Sequence, residues 1–306
     1  IQELQKDLEL KQKYGEKESL LSRSLDLYAT LTKELDPFES GRAYIQVAQI
    51  KERLLQDASS PNSPKESTAS LGTTIFNIAL LARDLGLSKI AYDYVLWASQ
   101  LRFSSVDKCN EDYCHTLNVR AELELLNHRM ETATNIVSII SHKVALPNGY
   151  VHIMGHTFYV CALYYYINGN YKDARTYVMH SLNKLQQDAR RDAMQIIKSK
   201  LLKAAIIEHL QTQGYTTKDK SSASLYQEVI SFVLQSYGKD GIWTYELHNW
   251  ICRLSSDPSI ISSARTVLEE LEPQFLSNIE QMKCDLSAYY NSYYNSYYYL
   301  FHCLFN

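Results

Sequence analysis

Few residues of this 306-residue chain have the types and spacing that chemistry needs. Cys109, Cys114 and His115 offer thiolate and imidazole ligands. The two cysteines are five positions apart, and no second cysteine pair follows to complete a zinc site. His152 and His156 stand four apart, as two ligands on one helix face would. Gly155 lies between them, and the residue after His152 is Ile153, where a zinc protease would carry its glutamate. Glu208 and His209 form an acid–base pair with no nucleophile placed beside them. There is no glycine-rich phosphate loop ending in Lys-Ser/Thr and no Gly-x-Ser-x-Gly. Cys303 stands fourth from the end, as in a prenylation box, but the terminal Asn306 is atypical of one. The expectation is no catalytic residue, no cofactor and no metal. The remaining chemistry is modification: Ser60-Pro61 and Ser63-Pro64 are minimal sites for proline-directed kinases, and phosphate there would add negative charge to a loop.

Composition narrows the class. Hydrophobic residues make up 45% of the chain, enough for a sizeable core, while ten Gly and six Pro are few for this length. The prolines, at 37, 61, 64, 147, 258 and 273, read as helix ends or loops, which leaves long uninterrupted helices between them. No strict apolar alternation appears, so the chain reads as all-α. The net charge of −3 and the absence of a basic stripe argue against nucleic acid. No apolar run reaches the roughly 18 residues that cross a bilayer, so no membrane is expected. Six scattered cysteines and no Asn-x-Ser/Thr sequon favour a reducing setting, cytoplasmic or nuclear. The first residue is Ile1 rather than Met, as expected of a processed chain or a piece of a longer one.

What would position functional residues is a repeat. The stretch Asn168-Gly169-Asn170-Tyr171-Lys172-Asp173-Ala174 reads as the tight turn of a helical hairpin, with apolar helix over 158–167 before it and amphipathic helix over 175–185 after it. Aligned on the small residue opening each second helix, Ala91, Ala133 and Ala174 are separated by 42 and 41 residues. A fixed period of this size marks a solenoid, in which each helix pair buries its apolar face on its neighbours. Phe158, Cys161, Ala162 and Tyr165 form one inward stripe; Ile75, Ile78, Ala79 and Ala82 form the equivalent. Gly86 and Gly169 supply free joints.

These residues resemble the tetratricopeptide repeat family, whose turn reads Gly-Asp-Tyr-x-x-Ala. Coverage is 72–186, with the unit around Gly169 matching best and the middle unit worst, since Arg120 replaces an apolar residue and His128 the glycine. The period exceeds the standard repeat of about 34, as in long-repeat members. The resemblance implies a right-handed α-solenoid of stacked antiparallel helix pairs, with the first helix of each pair lining a concave groove. Carried over by register, the groove positions are Thr73, Phe76, Leu80 and Arg83, then His115, Asn118, Glu122 and Leu125, then His156, Tyr159, Leu163 and Tyr166. Of these, Phe76, Leu80, Arg83, His115, Asn118, Glu122, His156, Tyr159, Leu163 and Tyr166 are the expected partner-binding residues. Many are apolar or aromatic, which suits an extended or helical protein segment with apolar anchors. The alternative is a groove filled by another helix of the same chain.

The flanks read as further hairpins. Residues 1–57 form an N-terminal one, with Leu20, Leu21, Leu25, Tyr28, Leu31 and Leu35 at helical spacing and Ser40 placed to cap the second helix. Residues 58–71 are a flexible Ser/Pro-rich loop and 72–186 the repeats. Residues 187–306 are degenerate helical repeats ending in a tyrosine-rich helix, Tyr289 to Tyr299, that either caps the last hairpin or docks something. The expected function is a non-catalytic scaffold or adaptor subunit of a eukaryotic intracellular complex, with a protein partner. One alternative is the helical regulatory arm of a larger enzyme, such as the cell-cycle protease separase. The other is an RNA-binding helical repeat, disfavoured because Arg83 is the only Lys or Arg among the groove positions.

Overall fold

The computed structural model describes residues 3, 5–6, 18–56, 68–103, 111–143, 151–187, 193–215 and 219–305. The described residues hold twelve α-helices and no strand. In chain order these are α1 (Glu18–Thr32), α2 (Pro37–Gln56), α3 (Thr68–Asp84), α4 (Ser88–Phe103), α5 (Glu111–Leu126), α6 (Met130–Lys143), α7 (Val151–Ile167), α8 (Tyr171–Gln187), α9 (Ala193–Thr212), α10 (Ser222–Tyr237), α11 (Ile242–Leu254) and α12 (Pro258–Phe305). Consecutive helices pack as pairs, as in a tetratricopeptide-like stack. Ser60 and Ser63 lie outside the described residues.

One turn recurs four times. Gly86, His128, Gly169 and Gly214 all have positive φ, at 72°, 57°, 75° and 80°. After each, the next N–H reaches back five residues to a carbonyl: Leu87 to Ala82, Arg129 to Glu124, Asn170 to Tyr165 and Tyr215 to Leu210, each at 2.8–2.9 Å. This is the left-handed helix stop that satisfies the last carbonyls of the first helix. His128, which looks like a failed glycine in the sequence, adopts the same backbone. The fourth turn extends the repeat past Leu185, with steps of 42, 41 and 45 residues between the four positions. Ala91, Ala133 and Ala174 are fully buried, so the second helix of each of these pairs enters against its partner without a side chain in the way.

The chain divides into two compact units, Ile1–Thr116 with Leu276–Asn306, and Leu117–Phe275.

In the first unit α2 is capped by Asp36, whose carboxylate accepts from the N–H groups of Phe38 and Glu39 at 3.0 and 2.9 Å, with Pro37 at the first helical position. Ser40 is not the cap. It lies inside α2 and donates across to the Ala29 carbonyl at 2.7 Å. On α1 the expected apolar stripe is only half used. Leu25 and Tyr28 are buried, while Leu20, Leu31 and Leu35 are 44%, 51% and 73% exposed, because α1 packs on α2 and ends at Thr32. The C-terminal part of α12 completes this unit. Met282 fits over Gly41, where a Cβ would meet its sulfur at 2.7 Å. The Tyr94 hydroxyl donates to the Leu286 carbonyl at 2.8 Å, and Tyr289 and Tyr290 pack on Tyr94 and Trp97. The start of the tyrosine-rich stretch thus docks on α4 rather than on the last hairpin.

In the second unit Gly155 lets α7 and α8 meet closely. A Cβ there would come within 2.7 Å of Leu185, and Ser181 donates to the Gly155 carbonyl at 2.8 Å. Trp243, Leu247, Trp250 and Ile251 are buried on α11, as their spacing predicts. Pro273 does not end its helix. It lies inside α12 on an exposed face, and Glu269, whose carbonyl loses its usual donor, is exposed as well and open to water.

Candidate functional site

The register positions fall into two groups, one in each unit. In the first unit Thr73, Phe76 and His115 gather around Arg102 of α4. The Arg102 guanidinium lies 4.3 Å from the Phe76 ring centroid, and His115 meets the same ring edge-on at 4.9 Å. Arg102 also donates to the Asp112 carbonyl at 2.9 Å, to Thr116 Oγ1 at 2.7 Å and to Thr73 Oγ1 at 3.4 Å. Burial pulls its pKa down to about 10, with Asp112 opposing, so it stays charged at neutral pH. Arg83 is buried and turned to Asp84, at 2.8 Å, and Lys33 shares that carboxylate at 3.0 Å. Phe76 is buried; Leu80 and His115 are half-buried.

In the second unit the polar register positions meet in two groups, one turn apart on α5. Asn118 on α5 donates to Thr157 Oγ1 on α7 at 3.0 Å. One turn along, Glu122 lies 3.2 Å from His156 Nε2 and 3.5 Å from Lys198 Nζ on α9. Lys198 also stands 5.1 Å from the ring centroid of Trp250 on α11. Asn118, Glu122, His156 and Lys198 are between 0% and 4% exposed, and Gln195 of α9 is buried as well. Buried ionised groups cost several kcal/mol each and are retained only when partnered. Leu125, Tyr159 and Leu163 are buried on the same helices. Tyr166 is half-buried; its hydroxyl donates to the Leu254 carbonyl at 2.8 Å, and burial raises its pKa, with Tyr171 and Glu208 adding to the rise.

Lys198, Gln195 and Trp250 do not appear among the sequence-derived positions. Carrying the register past the Gly214 turn does not find them either: the positions it gives on α9 are Leu201, Ala204, Glu208 and Gln211. The direct equivalent of Leu163 there is Glu208, and it serves as a pin: it accepts from Ser255 Oγ at 2.8 Å and from the backbone and hydroxyl of Ser256.

The residues considered for catalysis or metal do not converge. Glu208 is taken by Ser255 and Ser256, while His209 stacks on Tyr171 with ring centroids 4.6 Å apart. Cys114 is buried on α5, and Cys109 lies outside the described residues. Burial pushes the Cys161 thiol up to about 12, far from a reactive thiolate. Among the described residues no three His, Cys, Asp or Glu side chains gather as a metal site requires, and no helix is long and apolar enough to cross a membrane.

No protein-family model matches the chain, and no curated protein sequence matches it. Its fold is similar to that of a Rap protein solved in complex with competence and sporulation factor. The two share 13% sequence identity with a TM-score of 0.57, over 93% of this chain and 74% of the other. That similarity is one of fold.

Proposed function

We propose that this chain, folded as a tetratricopeptide-like stack of helix pairs, is a non-catalytic adaptor. It takes a protein segment along the inner faces of its first helices, as a subunit of an intracellular complex. The observation that carries this reading is the network in the second unit. Asn118, Glu122 and His156, picked out by register alone, lie together with Lys198 on three successive first helices. A stack that needed only to pack would place apolar residues there, because an ion pair of this kind gives little net stability. The Rap protein of similar fold was solved in complex with competence and sporulation factor, which fits a ligand-holding role for this architecture. The free thiols of Cys114 and Cys161 fit a reducing compartment. RNA is a poorer ligand: Arg83 is occupied by Asp84 and Lys198 by Glu122, so the inner positions present little unpaired positive charge.

The near-complete burial of the network favours a second reading, in which the inner face is already closed and the network locks helices together. Panning a random-peptide display library on the purified chain separates them. The adaptor reading predicts enriched peptides whose binding falls at least tenfold in a Glu122→Gln/His156→Gln variant of unchanged melting temperature. No enrichment, or equal binding with a lower melting temperature, favours the lock.

A further inference from the structure

A second polar site in the second unit shares no residue with the Glu122 network. The turn at Gly214 is followed by α10 only eight residues later, at Ser222, whereas α4, α6 and α8 begin two residues after Gly86, His128 and Gly169. The delay leaves a cleft of about 730 Å³ lined by α8, α9, α10 and the Asp219–Lys220 segment. Within it each carboxylate serves two cations. Asp219 accepts from Arg175 at 2.7 Å and from Lys203 at 3.1 Å. Glu228 accepts from Lys200 and Lys220, both at 2.9 Å. Among the described residues three lysines and two carboxylates line the cleft, and Arg175, paired with Asp219 from outside the lining, brings the local excess to two positive charges, in a chain whose net charge is −3. Each lysine ammonium has three N–H donors and gives one to these bonds, so donors remain for an incoming anion. Half-buried Leu225, buried Leu182 and 40% exposed Met179 add an apolar wall.

We propose that this cleft docks an acidic peptide segment of a partner protein, with Asp or Glu side chains on Lys200, Lys203 and Lys220 and an apolar side chain against Met179 and Leu225. The two resident carboxylates stay ionised through neutral and mildly acid pH, so the charge balance of the cleft does not change over this range. Lys220 and Lys200 hold Glu228 down to about 2, and although its partial burial pushes Asp219 up, Arg175 and Lys203 leave it below the usual range. The cleft therefore keeps its positive excess through neutral and mildly acid pH. Salt-screened attraction of this kind gives fast association and charge selectivity. The site is separate from the inner-face network and does not rest on the adaptor reading.

The test is fluorescence anisotropy with a labelled peptide of alternating Asp and Glu around one Leu, and with its Asn/Gln analogue. Acidic peptide binding should weaken at least tenfold for the amide analogue, at least tenfold for a Lys200→Gln/Lys220→Gln variant, and progressively with added NaCl. Glu228→Gln removes a resident negative charge and should tighten binding about threefold, a gain that misfolding cannot mimic. Equal binding of the amide analogue, unchanged affinity in the lysine variant, or weaker binding in Glu228→Gln would overturn the proposal. So would a single-stranded oligonucleotide that displaces the peptide at lower concentration than the peptide's own dissociation constant.

Discussion

The Glu122 carboxylate sits between the His156 imidazole and the Lys198 ammonium with almost no solvent contact. Removing one partner leaves the other buried and uncompensated. Lys198→Met should lower unfolding stability by about 3 kcal/mol in urea titration, and adding Glu122→Gln should recover part of that loss. Glu52, in the first unit, is the opposite case. It is 1% exposed, and burial pushes its carboxyl up to about 8, which the Tyr289 hydroxyl offsets only in part. Its folded pKa lies above the unfolded value, so the fold favours the protonated form. Stability from this group is fully present below the unfolded pKa of about 4.5 and is lost as pH rises to about 8. Melting temperature should therefore fall between pH 5 and 8, and the fall should shrink in Glu52→Gln. Of these side chains, Asn118, Glu122 and His156 were legible from register. Lys198 was not, because it lies a turn before the first register position on α9, and Glu52 carries no local pattern that marks its burial.

At the scale of the element, the repeated turn makes two predictions of opposite sign. Gly169 is at φ 75° with open space around its would-be Cβ, so Gly169→Ala should destabilise by about 1 kcal/mol through backbone strain alone. His128 already bears that strain at φ 57°, so His128→Gly should be neutral or stabilising by up to about 1 kcal/mol. Differential scanning calorimetry reads both. The helix pairs were legible because apolar period, small entry residues and glycine turns all pointed the same way. Two local readings failed for identifiable reasons. Ser40 looks like a cap, but Asp36 sits four residues earlier with Pro37 behind it and takes the role. Pro273 looks like a stop, but an exposed helix face lets water take the orphaned carbonyl and α12 continues.

At the scale of the molecule, the unexpected feature is the return of the C-terminal part of α12 to the N-terminal unit. Tyr94 and Leu286, bonded at 2.8 Å, are 192 residues apart, and no local sequence signal encodes such a pairing. The tyrosines at 289 and 290 are visible in the sequence as an amphipathic surface, but their partner, the Tyr94–Trp97 surface of α4, is not. Deleting Leu276–Asn306 should bare that surface and lower protection of α2 to α4 in hydrogen exchange, with α7 to α9 of the other unit unchanged. The central claim is that the first helices of the stack receive a protein segment. Hydrogen-exchange mass spectrometry of the chain with and without a library-selected peptide tests it most directly. The account predicts new protection in α5, α7 and α9, around Asn118, His156 and Lys198. Protection confined to the second helices α6, α8 and α10 would contradict it.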